Sequence, residues 1–516
     1  MSASPSRRRF LVYGVSAASA LVVACRSVER APPPGASAAA DAFRPSAWVR
    51  VEADGRVIIT VGKSEMGQGV RTALPALVAD ELDVDLASVA LEQASPGPAF
   101  ADLGTFGSRS LRTLWAPLRR AGAVAREALR GAAAARWGAP LDECRAERGA
   151  VVHGPTGRRL AYGELAAEAA KRPLPEDAPL KPRAALRLVG RDLARVDGPA
   201  IVRGTATFGA DVRVEGQVFA VVVRCPVFGG QAARWSDADA RRVPGVTAVV
   251  PIRSGLAVVG TTSWAALAGR AALEPTIVWD EGPHRAHDSA AAWAALGRGF
   301  DGPLAWLGDG ADAGRAIAGA PRRVRAEYAY PYQAHAPLEP RNATARVHAG
   351  GCEIWAGTQG PNRLQAAAAQ LLGVPPEAVV VHVPLLGGGF GQKGDPAFAL
   401  EAVEVSKAVG APAQVFWTRG DDLRHGRFHP ASRHRLEAGL DAAGAPRGWR
   451  HVVATSSLGR SGGAPAGDER LRGDLAGGWD SPYTEAAAAL ADVDLPAPVG
   501  AWRGVTRVSN VFAREC

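Results

Sequence analysis

The alternation of apolar and polar residues predicts a chain in which strands and helices follow one another. Residues 48–61, WVRVEADGRVIITV, hold two alternating apolar runs on either side of an Asp-Gly pair, which predicts a β-hairpin. Residues 63–85 hold a glycine turn followed by apolar residues at helical spacing, and Pro75 is expected near the first helical turn, where a missing N–H costs little. Residues 112–137, rich in Ala, Arg and Leu, are predicted to be a helix.

A Pro-rich stretch at 172–183 marks a predicted boundary, after which the alternation resumes. Residues 202–230 are predicted to form strands with turns, and residues 246–273 two strands and a helix. A further run of elements begins at Val324, with predicted segments at 350–356 (strand), 361–372 (helix), 378–384 (strand) and 397–409 (helix). Strands mixed with helices in this way predict an α+β protein of several domains.

The N-terminal residues have the pattern of an export signal. SRRRFLV at 6–12 precedes a short apolar stretch, and a twin arginine in this position resembles a Tat signal. VVAC at 22–25 resembles a lipobox, which makes Cys25 a lipidated residue; cleavage near Ala24 or within the alanines at 36–40 is the alternative. We therefore expect a periplasmic protein, or one anchored by lipid on the outer face of the membrane.

Composition narrows the class of protein. The chain has 516 residues, 47% of them hydrophobic and 22% charged, which is enough for several packed domains. The net charge of +9 comes almost entirely from scattered arginines, without a basic stripe interleaved with aromatics, and this argues against nucleic-acid binding. The five cysteines form no CxxC pair and lie near no His pair, so the sequence predicts no zinc or iron–sulfur ligand set.

A glycine-rich loop is the most conspicuous candidate site. LLGGGFGQKGD at 385–395 follows a valine-rich strand and precedes a helix, a context that suits an anion or a cofactor held by backbone N–H groups. A nucleoside-triphosphate loop needs glycine directly before the lysine and Ser or Thr after it, but Gln392 and Gly394 flank Lys393. Taken alone, the loop is a weak signal and is better explained by close packing at the end of a strand.

Several other short motifs along the chain accompany the glycine-rich loop. The motifs EMGQG, TFGSRS, HAPLEP, GTQ, GGGFG and GDDLRHGRFHP occur in this order between residues 65 and 430. They resemble the molybdenum-binding large subunits of the xanthine dehydrogenase and aldehyde oxidase superfamily, most of all the isoquinoline 1-oxidoreductase and periplasmic aldehyde dehydrogenase branch. The resemblance runs from about Trp48 to Cys516.

The resemblance implies a multi-domain molybdenum hydroxylase large-subunit fold. Together with the N-terminal signal and the Pro-rich stretches, it predicts an export signal with the lipobox, a linker, an N-terminal molybdopterin-binding segment, a second linker, an α/β hammerhead-like domain, a connecting segment and a first molybdopterin-binding domain. These divisions span 1–30, 31–45, 46–175, 176–190, 191–283, 284–323 and 324–516, respectively.

The resemblance also implies a cofactor: molybdopterin carrying molybdenum, extended by a cytidine nucleotide. Its own dithiolene sulfurs hold the metal, so no side chain is expected as metal ligand. The residues it assigns to cofactor binding are Gly67, Gln68, Gly69, Gly107, Ser108, Arg109, Gln359, Gly388, Gly389, Phe390 and Gly391. Backbone N–H groups at Gly67–Gly69 and the bidentate side chain of Arg109 would contact the phosphates.

Three residues are candidates for the catalytic site by the same resemblance. Gln359 would orient the oxo or hydroxo group on molybdenum, Phe390 would exclude water, and Arg503 would lie near the substrate. For Gln359 the alternative is a structural place beside a helix N-cap. His335 and Glu339 are interpreted as structural. Val505 stands where the family often has a substrate-stacking aromatic, and Gly394 replaces a glutamate of the xanthine-type enzymes, so purine substrates are not expected.

The family's GxGE glutamate, a general base, does not occur in this sequence. We therefore expect the N-terminal portion of a longer product, a split subunit or a non-catalytic relic. The intact enzyme would hydroxylate an aldehyde or N-heteroaromatic carbon with oxygen from water. Its electrons would pass through a small 2Fe-2S partner subunit to an acceptor such as a cytochrome. The competing hypothesis is a catalytically incomplete fragment or a cofactor-free scaffolding lipoprotein of the same fold.

Overall fold

The computed structural model describes residues 42–458, Leu475 and residues 485–516. The predicted export signal, Cys25 and the linker up to residue 41 lie outside the described residues. The chain forms two compact units whose sequences interleave. Unit 1 comprises residues up to Val212 together with Val347–Gly387, and unit 2 comprises Arg213–Arg346 with Gly388–Cys516.

The predicted mixture of helices and strands is confirmed. The α-helices are α1 Val70–Leu82, α2 Ser110–Trp137, α3 Tyr162–Ala170, α4 Gly198–Val202, α5 Ala238–Arg241, α6 Ser263–Leu273, α7 Ser289–Gly299, α8 Gly310–Ala318, α9 Pro361–Leu372, α10 Ala397–Val409, α11 Arg419–Arg424 and α12 Arg507–Glu515. The strands are β1 Phe43–Ser46, β2 Val49–Val51, β3 Val57–Val61, β4 Ala90–Gln93, β5 Cys144–Glu147, β6 Ala150–His153, β7 Arg159–Ala161, β8 Val218–Val223, β9 Gln231–Arg234, β10 Val246–Ile252, β11 Gly255–Gly260, β12 Val278–Asp280, β13 Ala305–Leu307, β14 Arg322–Tyr330, β15 Asn342–His348, β16 Gly351–Ala356, β17 Val379–His382, β18 Ala413–Phe416, β19 Ser432–Leu440, β20 Pro446–Thr455 and β21 Glu485–Asp492. No described helix has the length and apolar character needed to cross a bilayer.

In unit 1 the strands β1-β2-β3-β4 form one sheet, and α1, α2 and α3 contribute to the apolar core beside it. The predicted hairpin is β2–β3. Two predictions are wrong here. The linker does not extend to residue 45, because Phe43 is 1% exposed in β1, which pairs with β2. Pro75 is the sixth residue of α1, beyond the first turn, so this helix lacks one internal N–H donor.

The predicted linker at 176–190 is instead bound to α1 by two fully buried carboxylates. Asp80 accepts hydrogen bonds from the backbone N–H groups of residues 187, 188 and 189, at 2.7, 3.0 and 2.9 Å. Glu81 accepts from the N–H of Lys181 at 3.0 Å and from Arg119 and Arg126 at 2.8 Å each. A buried carboxylate is tolerated when it is paired and fully hydrogen-bonded, and here it fixes the Pro-rich segment to the core.

In unit 2 one sheet runs in the order β10-β11-β8-β18-β15. The helix α6 packs on β8 and β11, as the strand–strand–helix pattern at 246–273 predicts. Residues 202–217 are turns and short helical pieces rather than strands, and only β8 forms within 202–230. A second sheet, β13-β21-β20-β19-β14, carries another apolar core with α7 against it.

The division into units differs from the predicted domains at residues 347–387. This segment, with β16, β17 and α9, belongs to unit 1 rather than to a continuous domain at 324–516. β16 and β17 pair in parallel, from Cys352 opposite Val379 to Trp355 opposite His382. The helix α9 connects them, as a parallel pair requires.

Candidate functional site

Three loops that carry sequence motifs meet within unit 1. We name them loop A (63–69), loop B (102–109) and loop C (357–360). Ser64 donates from its N–H to Thr105 Oγ1 at 2.9 Å and from its hydroxyl to the Thr358 carbonyl at 2.7 Å. Thr105 N–H donates to the Gln359 carbonyl at 2.8 Å, and Gln359 Nε2 donates back to the Thr105 carbonyl at 3.0 Å. Motifs nearly 300 positions apart in sequence are thus joined by direct hydrogen bonds.

Two further side chains fix the same junction. Lys63, 4% exposed, donates from Nζ to the carbonyls of Asp102 and Gly104 at 3.2 and 2.8 Å. Burial lowers the pKa of Lys63, and the nearby Asp102 carboxylate opposes that effect. Asn362, in the first turn of α9, accepts from Leu103 N–H at 2.9 Å and donates to the Phe100 carbonyl at 3.0 Å.

Gln359 is buried at this junction, 3% exposed. Its side-chain amide joins loop C to loop B, and Gly360 and Pro361 after it form the N-cap and the first residue of α9. This is the structural place beside a helix N-cap that we set against the catalytic interpretation. The hydrogen bond to the Thr105 carbonyl uses Nε2, and the predicted role of Gln359 in orienting a group on molybdenum stays a prediction.

Loop A does not offer the phosphate contacts that its glycines predict. The N–H groups of Gly67 and Gly69 both donate to Glu65 Oε1 at 2.9 Å, and the N–H of Arg71 donates to Glu65 Oε2 at 3.0 Å. Gln68 turns its amide inward, accepting from Met66 N–H at 2.7 Å and donating to the Ser64 carbonyl at 2.9 Å. Glu65 therefore engages these backbone N–H groups in the described structure, and their use for a phosphate stays a prediction.

Loop B does fit a phosphate. Gly107 and Ser108 adopt φ of 61° and 52°, and Arg109, exposed, stands as the N-cap of α2. No side chain caps this 28-residue helix, and its first turn contains no acidic residue. Free N–H groups at a helix N-terminus, with an exposed guanidinium beside them, are the donors that an anionic phosphate requires. Of the two predicted phosphate contacts, the structure leaves this one open.

The glycine-rich loop lies in unit 2 and is held in an unusual backbone conformation. Gly388, Phe390 and Gly391 have φ of 89°, 53° and 104°. A Cβ on Gly391 would lie 1.9 Å from the Ala501 carbonyl oxygen, and one on Gly388 would lie 2.8 Å from the Phe390 ring. Gly391 is therefore required by a close approach of two backbones, and the Phe390 ring, 36% exposed, folds back over Gly388. Gly389 between them is buried.

The lysine of this loop is part of a buried ion pair. Lys393, 1% exposed, donates from Nζ to Glu339 Oε2 at 2.7 Å, and Glu339 Oε1 accepts from Asn342 Nδ2 at 3.0 Å. Burial lowers the pKa of Lys393, and Glu339 opposes that effect. His335 Nε2 donates to the Ala501 carbonyl at 2.8 Å. These contacts agree with the structural role that we assigned to Glu339 and His335.

Arg503 lies in an exposed turn of unit 2. Among the described residues it makes no hydrogen bond or ion pair, so its guanidinium is open to a ligand. Val505, two residues later, has φ of 52°, an outlying conformation for a β-branched residue, and its carbonyl oxygen lies 3.1 Å from His429 Nε2. Asp395, next to Gly394, is engaged by Arg427 Nε at 2.6 Å.

One cluster in unit 2 was missed by sequence reasoning. The ring of Trp417 lies between two guanidinium groups, with Arg224 Cζ 3.7 Å and Arg341 Cζ 3.5 Å from the ring centroid. Glu401 accepts from Trp417 Nε1 at 2.8 Å and from Arg224, while Asp422 accepts from Arg341 at 3.1 Å. The charges cancel pairwise, so the cluster holds the strands together rather than presenting a charge. Its members are far apart in sequence; Asp422 lies in the GDDLRHGRFHP motif and Arg341 follows HAPLEP, but no single motif contains them all.

An N-terminal and a C-terminal part of the chain each match a known protein family. Residues 305–516 match one family described as a molybdopterin cofactor-binding domain, and residues 14–219 match a second family of the same description. The chain is also similar to isoquinoline 1-oxidoreductase subunit beta of Brevundimonas diminuta, with 34% identity over 472 residues. The chain belongs to the xanthine dehydrogenase family of molybdopterin-binding large subunits. The resemblance drawn from the motifs is confirmed.

The match to the isoquinoline 1-oxidoreductase subunit covers 81% of the chain. A second relative, a membrane-bound aldehyde dehydrogenase of Gluconacetobacter polyoxogenes, is 31% identical over 78% of the chain, and its name specifies pyrroloquinoline quinone. The chain spans 60% and 54% of these two relatives, less than two thirds of either. The aldehyde oxidoreductase of Desulfovibrio gigas shares the fold, with a TM-score of 0.50 at 18% identity over 68% of this chain and 44% of that one. The predicted fold class is thereby confirmed.

Proposed function

We propose that the complete protein is the molybdenum-cofactor subunit of an oxidoreductase that hydroxylates an aldehyde or N-heteroaromatic carbon with oxygen from water. The observation that carries the proposal is the junction of loops A, B and C. Motifs at Ser64, Thr105 and Gln359 are joined by four hydrogen bonds, so these residues are held as one rigid unit. Rigid placement of the groups around a cofactor is what such chemistry requires of the protein.

The protein's own residues have limited, separable roles in this proposal. Loop B would hold a phosphate with the N–H groups at the start of α2 and with Arg109. Gln359 would orient a polar group on its side of the junction, Phe390 would exclude water, and Arg503 would bind a polar group of the substrate. The bound cofactor would supply the oxidising equivalents. Val505, small and exposed, leaves room where a stacking aromatic would otherwise stand.

Several finer features belong to the same proposal. We infer that the cofactor is the cytosine dinucleotide form, that a small subunit with 2Fe-2S clusters accepts the electrons, and that an acceptor such as a cytochrome takes them further. The name of the isoquinoline 1-oxidoreductase relative, a subunit beta, supports a multi-subunit assembly. The twin-arginine segment and Cys25 support export to the periplasm with a lipid anchor.

Metal analysis tests the proposal. The full-length protein is purified with its partner subunit from cells supplied with molybdate, and molybdenum and quinone are measured per chain. We expect molybdenum near one atom per chain and no bound quinone. Absence of molybdenum contradicts the proposal and supports a scaffolding role, and a stoichiometric quinone supports the cofactor named in the aldehyde dehydrogenase relative.

A pair of glutamine variants separates a site role from a packing role. Gln359→Ala removes a side chain that donates to a backbone carbonyl and should abolish activity. Gln365→Ala removes a glutamine of α9 that makes the same kind of contact, to the Val379 carbonyl at 2.9 Å, and should retain activity. Equal losses in both variants at equal molybdenum content would mean that Gln359 acts only through packing.

A further inference from the structure

The turn before α1 is an anion site that is filled from within the chain. Three backbone N–H groups, those of Gly67, Gly69 and Arg71, converge on the carboxylate of Glu65 at 2.9, 2.9 and 3.0 Å. Gly67 and Gly69 have φ of 107° and 84°, which lets successive N–H groups face the same point. Convergent N–H groups of this kind form an anion-binding concavity, and here its ligand is a side chain of the same turn.

The carboxylate of Glu65 is further fixed from outside the turn. It is 3% exposed, and Arg195 Nη2 lies 3.3 Å from its Oε1. Arg195 also donates to the Gly67 carbonyl at 3.0 Å and is itself held by Asp197, through Nε at 2.9 Å and Nη2 at 2.6 Å. The charge of Glu65 is thus matched by a guanidinium and by three N–H dipoles, so its burial is compensated.

We propose that Glu65 is a positioning residue that acts as a built-in anion for loop A. It fills the site that the glycines of the motif form, fixes the turn without a bound phosphate, and excludes these N–H groups from cofactor binding. The negatively charged part of any cofactor is then left to loop B. The inference rests on the proposed function only where it names a cofactor as the molecule that these N–H groups do not bind.

Glu65 outcompetes a free anion for these N–H groups because it is covalently connected to the same turn. Glu65 is connected to the turn by two residues, so its carboxylate is present at an effective concentration far above that of any free anion. A phosphate that entered would have to displace three charge-assisted hydrogen bonds and leave Glu65 buried beside a second negative charge. Removing the carboxylate makes phosphate binding favourable, because the three N–H groups then need a new acceptor.

The test is amide hydrogen exchange in the full-length, cofactor-free chain, with pyrophosphate as the probe. In the native sequence the N–H groups of Gly67, Gly69 and Arg71 should be protected, and pyrophosphate at ~10 mM should leave their exchange unchanged because the tethered carboxylate outcompetes it. In Glu65→Ala their exchange should rise by about tenfold to a hundredfold. Pyrophosphate should then restore protection, which a purely structural role does not predict.

Two further variants keep the inference refutable if Glu65→Ala does not fold. Glu65→Gln retains one acceptor oxygen for Gly67 and Gly69 but turns an NH₂ toward Arg71, so the exchange of the Arg71 amide alone should rise. Glu164→Ala removes a carboxylate that accepts a single N–H at the start of α3, at 2.7 Å, and should leave loop A unchanged. Pyrophosphate protection of loop A in the native chain, or unchanged Arg71 exchange in Glu65→Gln, would overturn the proposal.

Discussion

Replacing Lys393 by methionine should destabilise unit 2 strongly. The lysine is the charged residue of the glycine-rich loop, but its Nζ is buried and donates to Glu339 at 2.7 Å. Methionine matches the length of the aliphatic part and removes the charge. Glu339 would then retain its hydrogen bond from Asn342, but its negative charge would no longer be compensated by the lysine.

The magnitude follows from the burial of the pair. Removing one partner of a buried ion pair costs about 3–5 kcal/mol, because an unpaired charge stays in a low-dielectric surrounding. For a unit of this size each kcal/mol lowers Tm by about 2–4 °C, so a fall of roughly 6–20 °C is expected. The double variant Lys393→Met/Glu339→Gln leaves no buried charge at the pair, and its cost should be less than half of that for the single variant.

Chemical denaturation followed by tryptophan fluorescence measures the differences in free energy of unfolding, and thermal denaturation measures the fall in Tm. The control is Lys407→Met, which removes an exposed lysine at the end of α10 and should change stability by no more than about 0.5 kcal/mol. A cost below about 1 kcal/mol for Lys393→Met, or a double variant less stable than the single one, would refute the assignment of Lys393 to a buried structural pair.

Three other outcomes are expected. Gly391→Ala should abolish the folded loop, since its Cβ would meet a carbonyl oxygen at 1.9 Å, whereas Gly410→Ala, also at positive φ but with open space, should cost only about 1–2 kcal/mol in thermal denaturation. Burial lowers the pKa of His434 to about 4 and that of His451 to about 3, so unfolding takes up protons as the pH falls below about 6.5. Stability should therefore decrease from pH 6.5 toward pH 4 by up to about 1.4 kcal/mol per pH unit for each histidine, and denaturation midpoints of His434→Gln/His451→Gln should show a shallower slope. Gln359→Leu should cost about 1–3 kcal/mol through the carbonyl it leaves unpaired, and a midpoint equal to that of the native chain would contradict the contact between loops B and C.

Local periodicity was sufficient for most of the elements. The β2–β3 hairpin, α2, β10–β11–α6 and α9–β17–α10 all form where the apolar spacing predicts them, because each buries the face that the pattern marks. The predicted linkers are the failures. Residues 31–45 and 176–190 both have a Pro-rich, turn-like composition. Yet Phe43 of the first pairs in a sheet, and the second is bound by buried carboxylates of a helix 100 residues earlier. Long-range contacts of this kind leave no local trace in the sequence.

The candidate site shows the same limit. The motifs identify the family and the residues that cluster in loops A, B and C, but not which hydrogen bonds they make. Glycines at 67 and 69 predict convergent N–H groups, and these form, but the glycines alone do not indicate that the carboxylate of Glu65 accepts from them. An acidic residue two positions ahead of such a glycine pair is the signal that could have revealed this contact. For the Trp417 cluster the motifs mark Asp422 and the position before Arg341, but they do not indicate the tryptophan that lies between the two arginines.

The junction of loops A and C has a consequence for biosynthesis. Ser64 and Thr358, which share a hydrogen bond, are 294 positions apart, and the first 134 residues of unit 2 are made between the two parts of unit 1. At a ribosomal rate of about 5–20 residues per second, loop A waits roughly 15–60 s for its partner. During that interval the edge of unit 1 that receives α9 is exposed, which makes the nascent chain a client for chaperones at this stage. Neither unit corresponds to one continuous stretch of the gene, so each is completed only after part of the other has been synthesised.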